Sequence, residues 1–158
     1  LLPLGKQCEA LYQRFYTDAE ASKAYGGPLP PGAARNRLAS DIGTWTLQGF
    51  GVWAIEEPEG AGLVGVCGFW QGWGWPKELT WWLLPEARGR GIAQEASRAA
   101  IAFAYDEWQW PEVQTYMQDE NLPARWLALR LGGSMVARQV FPDGIERDVF
   151  HLPRRAAA

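Results

Sequence analysis

The run of helical and strand patterns along this sequence predicts helices packed against a sheet, an α+β or α/β layer. Three observations carry that expectation. Residues 91–105 hold one long alanine-rich pattern at helical spacing, and Pro111 bars its continuation. Strand-like apolar runs occur in pairs joined by turn-forming stretches, "EPEGAG" in one pair and Pro142, Asp143 and Gly144 in the other. The full order is mixed: two helical regions, three strands, a long helix, a strand, a short helix and two strands.

Taken in order, residues 7–23 place Leu11, Phe15 and several alanines at helical spacing, and "YGGPLPPG" breaks that pattern. Residues 32–49 read as a second helix that ends before Gly49 and Gly51. "FGVWAIEE" and "AGLVGVCGFWQ" form a hairpin, and residues 78–84 form the next strand. After the long helix, "EVQTYM" returns to strand character. "NLPARWLALRLGG" is a short helix capped by Asn121, with Pro123 in its first turn and Gly132 and Gly133 at its end. "SMVARQVF" and "IERDVFHL" close the sheet as a hairpin, and the terminal "RRAAA" is expected to fray.

A chain of 158 residues is expected to form a single domain, residues 1–158, around one core. Its 47% apolar content is interrupted everywhere by charge and glycine, and no apolar run reaches membrane-spanning length, so a soluble protein without a membrane partner is expected. Eighteen acidic against fifteen basic side chains give a net charge of −3, which disfavours nucleic acid as a partner while leaving a local arginine free to meet a small anion. Cys8 and Cys67 read as buried thiols rather than a bridge. The start of the chain carries no secretory pattern, and the cytoplasm is the expected compartment.

The strongest chemical signal is "WWLLPEARGRGIAQEA", residues 81–96, where a strand passes through a basic, glycine-rich turn into the long helix. The first amides of a helix have no intrahelical acceptor, its dipole adds positive potential there, and glycine lets an anion approach the backbone. Arg88 and Arg90 add charge close by. The turn is therefore either a phosphate or pyrophosphate cradle or a tight solvated connection. It lacks the third small residue of a dinucleotide-binding G-x-G-x-x-G/A, and no P-loop is present.

With Arg88, Gly91 and Ala93 matching R/Q-x-x-G-x-G/A, the segment resembles the acyl-coenzyme A signature of the GCN5-related N-acetyltransferases. "PE-x-x-G-x-G-x-A-x-EA" from Pro85 to Ala96 is similar to the branch containing the ribosomal-protein alanine acetyltransferases. The order of elements extends the resemblance over residues 8–152. It implies an α+β fold, a mixed and mostly antiparallel central sheet flanked by helices, in which the strand ending at Leu84 splays from the strand of residues 113–117. It also implies that acetyl-CoA lies in the gap: pantetheine on backbone groups of Trp82, Leu83 and Leu84, and pyrophosphate on the amides of Arg88, Gly89, Arg90, Gly91, Ile92 and Ala93. Asn121 and Arg125, at the start of the short helix, are further cofactor contacts under this resemblance, against plain roles as helix cap and solvated side chain.

Acyl transfer to an amine needs a neutral nucleophile, a donor for the developing oxyanion and a protonated leaving thiol. The resemblance gives the donor to a backbone N–H at Leu83 or Leu84, and Glu78 is the best base candidate, unless it is only an exposed edge or turn carboxylate paired with Lys77 or another cation. The polar residues that relatives carry three and seven places after the asparagine are Ala124 and Ala128 here. Tyr116 can substitute as acid or be structural, and water is the other proton source. The acceptor is a small-molecule amine or a peptide N-terminus, and the alternative function is an acyl-CoA-binding sensor without catalysis.

Ten tryptophans exceed what one small core can pair. "FWQGWGWPKE" reads as an acceptor-facing aromatic wall, a homodimer contact or packing, and "YGGPLPPGA" as an acceptor-side loop or a rigid connection. His151 is structural. One histidine and two distant cysteines give no metal site, and no serine sits in G-x-S-x-G.

Overall fold

Two three-stranded sheets organise the chain, in strand order β1-β2-β3 and β4-β6-β5. The computed structural model describes residues 1–60 and 62–155. The chain divides into two compact units, Leu1–Gly68 with Trp81–Ala93 and Phe69–Thr80 with Gln94–Ala158. Helices accompany antiparallel strand pairs in an α+β architecture, as the element order predicted.

The first unit holds α1 (Glu9–Tyr16), α2 (Ala19–Ser22), α3 (Pro31–Gln48) and β1 (Val52–Glu57), with most of β2 (Gly62–Trp70) and the end of β3 (Glu78–Leu83). The helical stretch expected over residues 7–23 breaks at Asp18. That residue is extended at ψ 125°, and its carboxylate accepts the Ala21 amide at 2.7 Å, so it starts a new helix instead of continuing the old one. The second helix stops at Gly49, as read, in the left-handed conformation at φ 77°. β1 and β2 pair from Val52↔Gly68 to Glu57↔Gly62, with a shift between Ile55 and Glu56. The expected "EPEGAG" turn includes Ala61, outside the described residues. On β2, a Cβ at Gly65 would fall 2.2 Å from the Trp82 carbonyl oxygen, so only glycine allows this approach of β3.

The core of this unit forms around Trp82. Its ring stacks on Phe15 at a centroid distance of 3.9 Å and meets the edges of Tyr12 and Tyr16 at 5.3 and 5.7 Å. Leu11, Ala54, Val66 and Leu84 complete the packing. The Tyr12 hydroxyl donates to Asp41 at 2.6 Å and so ties α1 to α3. Burial raises the pKa of both groups, which keeps the phenol a donor. Cys8 and Cys67 are buried thiols not joined in a disulfide, as expected of small apolar side chains.

The second unit contains α4 (Ile92–Asp106) from Gln94 onward, β4 (Val113–Met117), α5 (Leu122–Arg130), β5 (Ser134–Val140) and β6 (Glu146–Leu152). β6 lies between its neighbours, with Val113↔Leu152 to Met117↔Asp148 on one side and Ser134↔His151 to Val140↔Glu146 on the other. The Tyr105 hydroxyl fastens α4 to this sheet, donating to the Leu152 carbonyl at 2.6 Å and accepting from the Val113 amide at 3.1 Å. Phe69, Trp108 and Trp110 pack together, and the Lys77 ammonium lies 3.6 Å from the Trp110 ring centre. The residues read as a frayed tail extend into 156–158, outside the described residues.

Candidate functional site

In the first unit, β3 runs into a short 3-10 turn, Pro85–Ala87, before α4 begins at Ile92. The turn is closed by Ala87 N–H on the Leu84 carbonyl and Arg88 N–H on the Pro85 carbonyl. Gly89 and Gly91 follow at φ 75° and 79°, a conformation that costs any other residue about 1–2 kcal/mol. Among the described residues, the amides of Gly89, Arg90 and Gly91 donate to no protein acceptor, and those of Ile92 and Ala93 lie in the first turn of α4. A Cβ at Gly89 or Gly91 would meet nothing within 4 Å. Backbone conformation, not crowding, demands glycine here, and the space beside the amides is open. Exposed amides, a helix start and room for oxygen atoms are what an anion requires.

The two arginines of the turn serve its frame. Arg88 donates through Nε to the Leu83 carbonyl at 3.2 Å and through Nη2 to the Ala21 carbonyl at 3.0 Å. Arg90 grips both oxygens of Glu57, at 2.7 and 3.0 Å. Backbone amides are therefore the donors left beside open space at the turn, with the guanidinium groups turned to protein oxygens.

Strand alternation sorts the three pantetheine positions. The Leu84 amide donates to the Val64 carbonyl at 2.8 Å, so Leu84 and, two residues earlier, Trp82 direct their backbone groups at β2. Leu83 faces the other way, along the outer edge of β3, where its carbonyl accepts from Arg88 and the Trp81 carbonyl accepts from the Tyr25 hydroxyl. The donor assigned from the sequence to Leu84 is thus engaged within the sheet, and the amide aimed off it belongs to Leu83. The Trp82 side chain belongs to the core.

In the second unit, Glu78 opens β3, three residues after Trp75. It is half-buried, and loss of hydration outweighs the nearby Arg147 charge, pushing its pKa up to about 8. Tyr116 is buried; its hydroxyl donates to the Pro76 carbonyl at 3.0 Å, and burial beside Glu78 raises its pKa. Trp75, Tyr116 and Phe141 pack with centroid distances of 4.4–6.1 Å. The Arg147 guanidinium lies 5.1 Å from the Trp75 ring and 5.2 Å from that of Phe141, and Asp143 holds it by two hydrogen bonds of 2.9 and 2.7 Å. Lys77, the alternative partner for Glu78, is over Trp110 instead.

Sequence reasoning missed Arg147, Asp143 and Phe141. The available signal was opposite charge four residues apart across a glycine turn, which had been read only as turn chemistry. Of the "FWQGWGWPKE" tryptophans, Trp75 joins this cluster, Trp70 packs against it at 5.7 Å, and Trp73 is fully exposed. Asn121 caps α5, its Oδ1 accepting the Ala124 amide at 3.3 Å, and Arg125 pairs with Asp148 at 2.6 Å.

A glycine turn with unengaged amides between a strand and a helix, in an α+β chain, is the kind of place where a phosphorylated ligand can bind. A family model for the acetyltransferase (GNAT) domain matches residues 2–134, and the chain belongs to that family. It is an enzyme that moves an acetyl group from acetyl-CoA to an amine. It is similar to an acetyltransferase from Agrobacterium tumefaciens, with 27% identity, a TM-score of 0.83, and coverage of 96% of this chain and 88% of that one. The fold is shared with an acetyltransferase from Salmonella typhimurium solved with its cofactor acetyl-CoA, at 20% identity, a TM-score of 0.71 and coverage of 98% and 92%. It is also shared with a ribosomal-protein-alanine N-acetyltransferase from Brucella melitensis, at 19% identity, a TM-score of 0.66 and coverage of 93% and 94%. No described helix is long and apolar enough to cross a membrane.

Proposed function

We propose that this chain acts as one domain to acetylate a primary amine, of a small molecule or a peptide N-terminus, by direct attack with acetyl-CoA and acceptor bound together. The observation that carries the reading is the set of unengaged amides at residues 89–91, beside open space at the start of α4. These amides, with those of Ile92 and Ala93 beside them, suit a pyrophosphate, whereas the Arg88 amide is spent on the Pro85 carbonyl. The Asn121 cap uses only Oδ1, which leaves Nδ2 to donate, and Arg125 keeps donors beyond the one on Asp148; both are assigned to the cofactor.

When bound, acetyl-CoA supplies the activated acetyl group and a thiol leaving group. The Leu83 amide, on the outer edge of β3, donates to the acetyl carbonyl oxygen as negative charge develops there. Glu78 takes the proton that the amine loses, directly or through one water; a base with a pKa near 8 is well matched to that task near neutral pH. The Tyr116 proton is engaged on the Pro76 carbonyl, so water would protonate the departing thiolate. The aromatic side chains of Trp75, Tyr116 and Phe141 favour an acceptor with apolar carbon next to its amine.

The similarity of residues 85–96 to the ribosomal-protein alanine branch favours a peptide N-terminus among the acceptors. The test is release of free coenzyme thiol from acetyl-CoA against a panel of amines and N-terminal peptides, with the product identified by mass. Acceptor-dependent thiol release with a gain of one acetyl group supports the proposal. Cofactor binding with no turnover on any acceptor leaves the acyl-CoA sensor instead.

A further inference from the structure

Arg147 and Glu78 meet at one cluster of the second unit: the guanidinium lies 5.1 Å from the Trp75 ring, Trp75 stacks on Tyr116, and Tyr116 donates to the carbonyl of Pro76, two residues before Glu78. Arg147 acts on Glu78 electrostatically, yet among the described residues its ion pair is with Asp143. Arg147 is nearly buried, and a guanidinium in such surroundings normally closes on the nearest available carboxylate. Here both of its terminal nitrogens are held by Asp143, at 2.9 and 2.7 Å. Asp143 is itself fixed at the β5–β6 turn, where the same carboxylate accepts the Ile145 amide at 3.1 Å. The guanidinium lies over Trp75 and Phe141, so its plane is set on the faces as well as at the ends.

We propose that Asp143 is a positioning residue for the reaction: its two-pronged grip on Arg147 keeps that guanidinium from closing on Glu78. This rests on the reading of Glu78 as the base. The titratable and charged groups acting on Glu78 are Tyr116 from β4 and Arg147 from β6; those acting on Arg147 are Asp143, Tyr116 and Glu78. Without Asp143, the guanidinium has Glu78 as its remaining carboxylate partner. A carboxylate in contact with arginine is a weaker base by about 1–3 pKa units. Asp143 has its pKa lowered to about 2 by Arg147, so the grip persists throughout the working range of the enzyme.

The experiment follows the Glu78 carboxyl by carbon NMR in glutamate-labelled protein, assigned by loss of the signal in Glu78→Gln, alongside the pH dependence of kcat/KM. Asp143→Asn is expected to lower the Glu78 pKa by about 1–3 units, and Asp143→Glu to restore it in large part. Arg147→Met is expected to raise the Glu78 pKa, and Asp143→Asn made in that background to do nothing further, because Asp143 acts only through Arg147. A Glu78 signal unmoved by Asp143→Asn, or moved equally with and without Arg147, overturns the proposal. If the NMR pKa falls but the acid limb of kcat/KM stays in place, the positioning holds and Glu78 is not the base. If both move together, both readings stand. Near-UV circular dichroism of each variant verifies its packing before titration.

Discussion

Replacing Glu78 with glutamine separates a catalytic carboxylate from a merely buried one, because the two roles leave different marks on stability and rate. Glu78 has an ordinary pKa of 4.5 that rises to about 8 in the folded chain, since burial penalises its charged form. For a group whose folded pKa is raised, its favourable contribution is complete below the unfolded pKa and is lost as pH rises through the folded one. Wild type should therefore lose stability between about pH 4.5 and 8 relative to Glu78→Gln. At roughly 1.4 kcal/mol per pH unit the full span is about 5 kcal/mol. Water reaching the half-buried residue reduces this to roughly 2–4 kcal/mol. Urea unfolding of both proteins at about pH 5 and about pH 9 reads the difference directly. The rate gives the second mark: wild-type kcat/KM should climb about tenfold from pH 7 to its plateau as Glu78 ionises, while the variant loses about 10²–10⁴-fold and that limb with it. A stability difference that is the same at both pH values refutes the raised pKa. An unchanged pH profile in the variant removes Glu78 from the proton transfer.

Three other substitutions probe the rest of the site. Gly91→Leu should cost only about 1–2 kcal/mol in folding, since its Cβ meets nothing within 4 Å, while lowering acetyl-CoA affinity at least about tenfold by straining and filling the cradle; calorimetry beside thermal melts compares the two losses. Arg88→Met removes the hydrogen bonds to Leu83 and Ala21 and should destabilise the chain by about 1–3 kcal/mol in denaturant unfolding, with cofactor affinity changing less than for Gly91→Leu. Trp82→Ala empties the place stacked on Phe15 and should cost about 3–5 kcal/mol, seen as a fall in Tm.

The strand boundaries and the hairpins were legible in the sequence because each rests on local chemistry: alternating apolar residues and a turn that glycine or proline closes. The break at Asp18 was less visible, since helical spacing continues across it and only a competing side-chain cap ends α1. The tryptophans could not be sorted in advance. Trp82 and Trp73 carry the same side chain within strongly aromatic segments, yet one is the centre of a core and the other is fully exposed. What separates them is the position of Phe15, Tyr12 and Tyr16, more than sixty residues away in sequence.

The site divides along the same line. The glycines of the turn follow from the chain's own dihedral needs and were readable, whereas the duties of Arg88 and Arg90 depend on Ala21, Leu83 and Glu57, and no spacing within the motif encodes those partners. A cationic motif invites the reading that its charges meet the anion, but an arginine committed to two backbone carbonyls stiffens the amides around it and leaves them to face the ligand. A preorganised backbone cradle loses little conformational entropy on binding, while a mobile guanidinium must be ordered each time. The same logic extends to Glu78, whose basicity rises because burial strips water from its carboxylate, and only the folded chain supplies that burial.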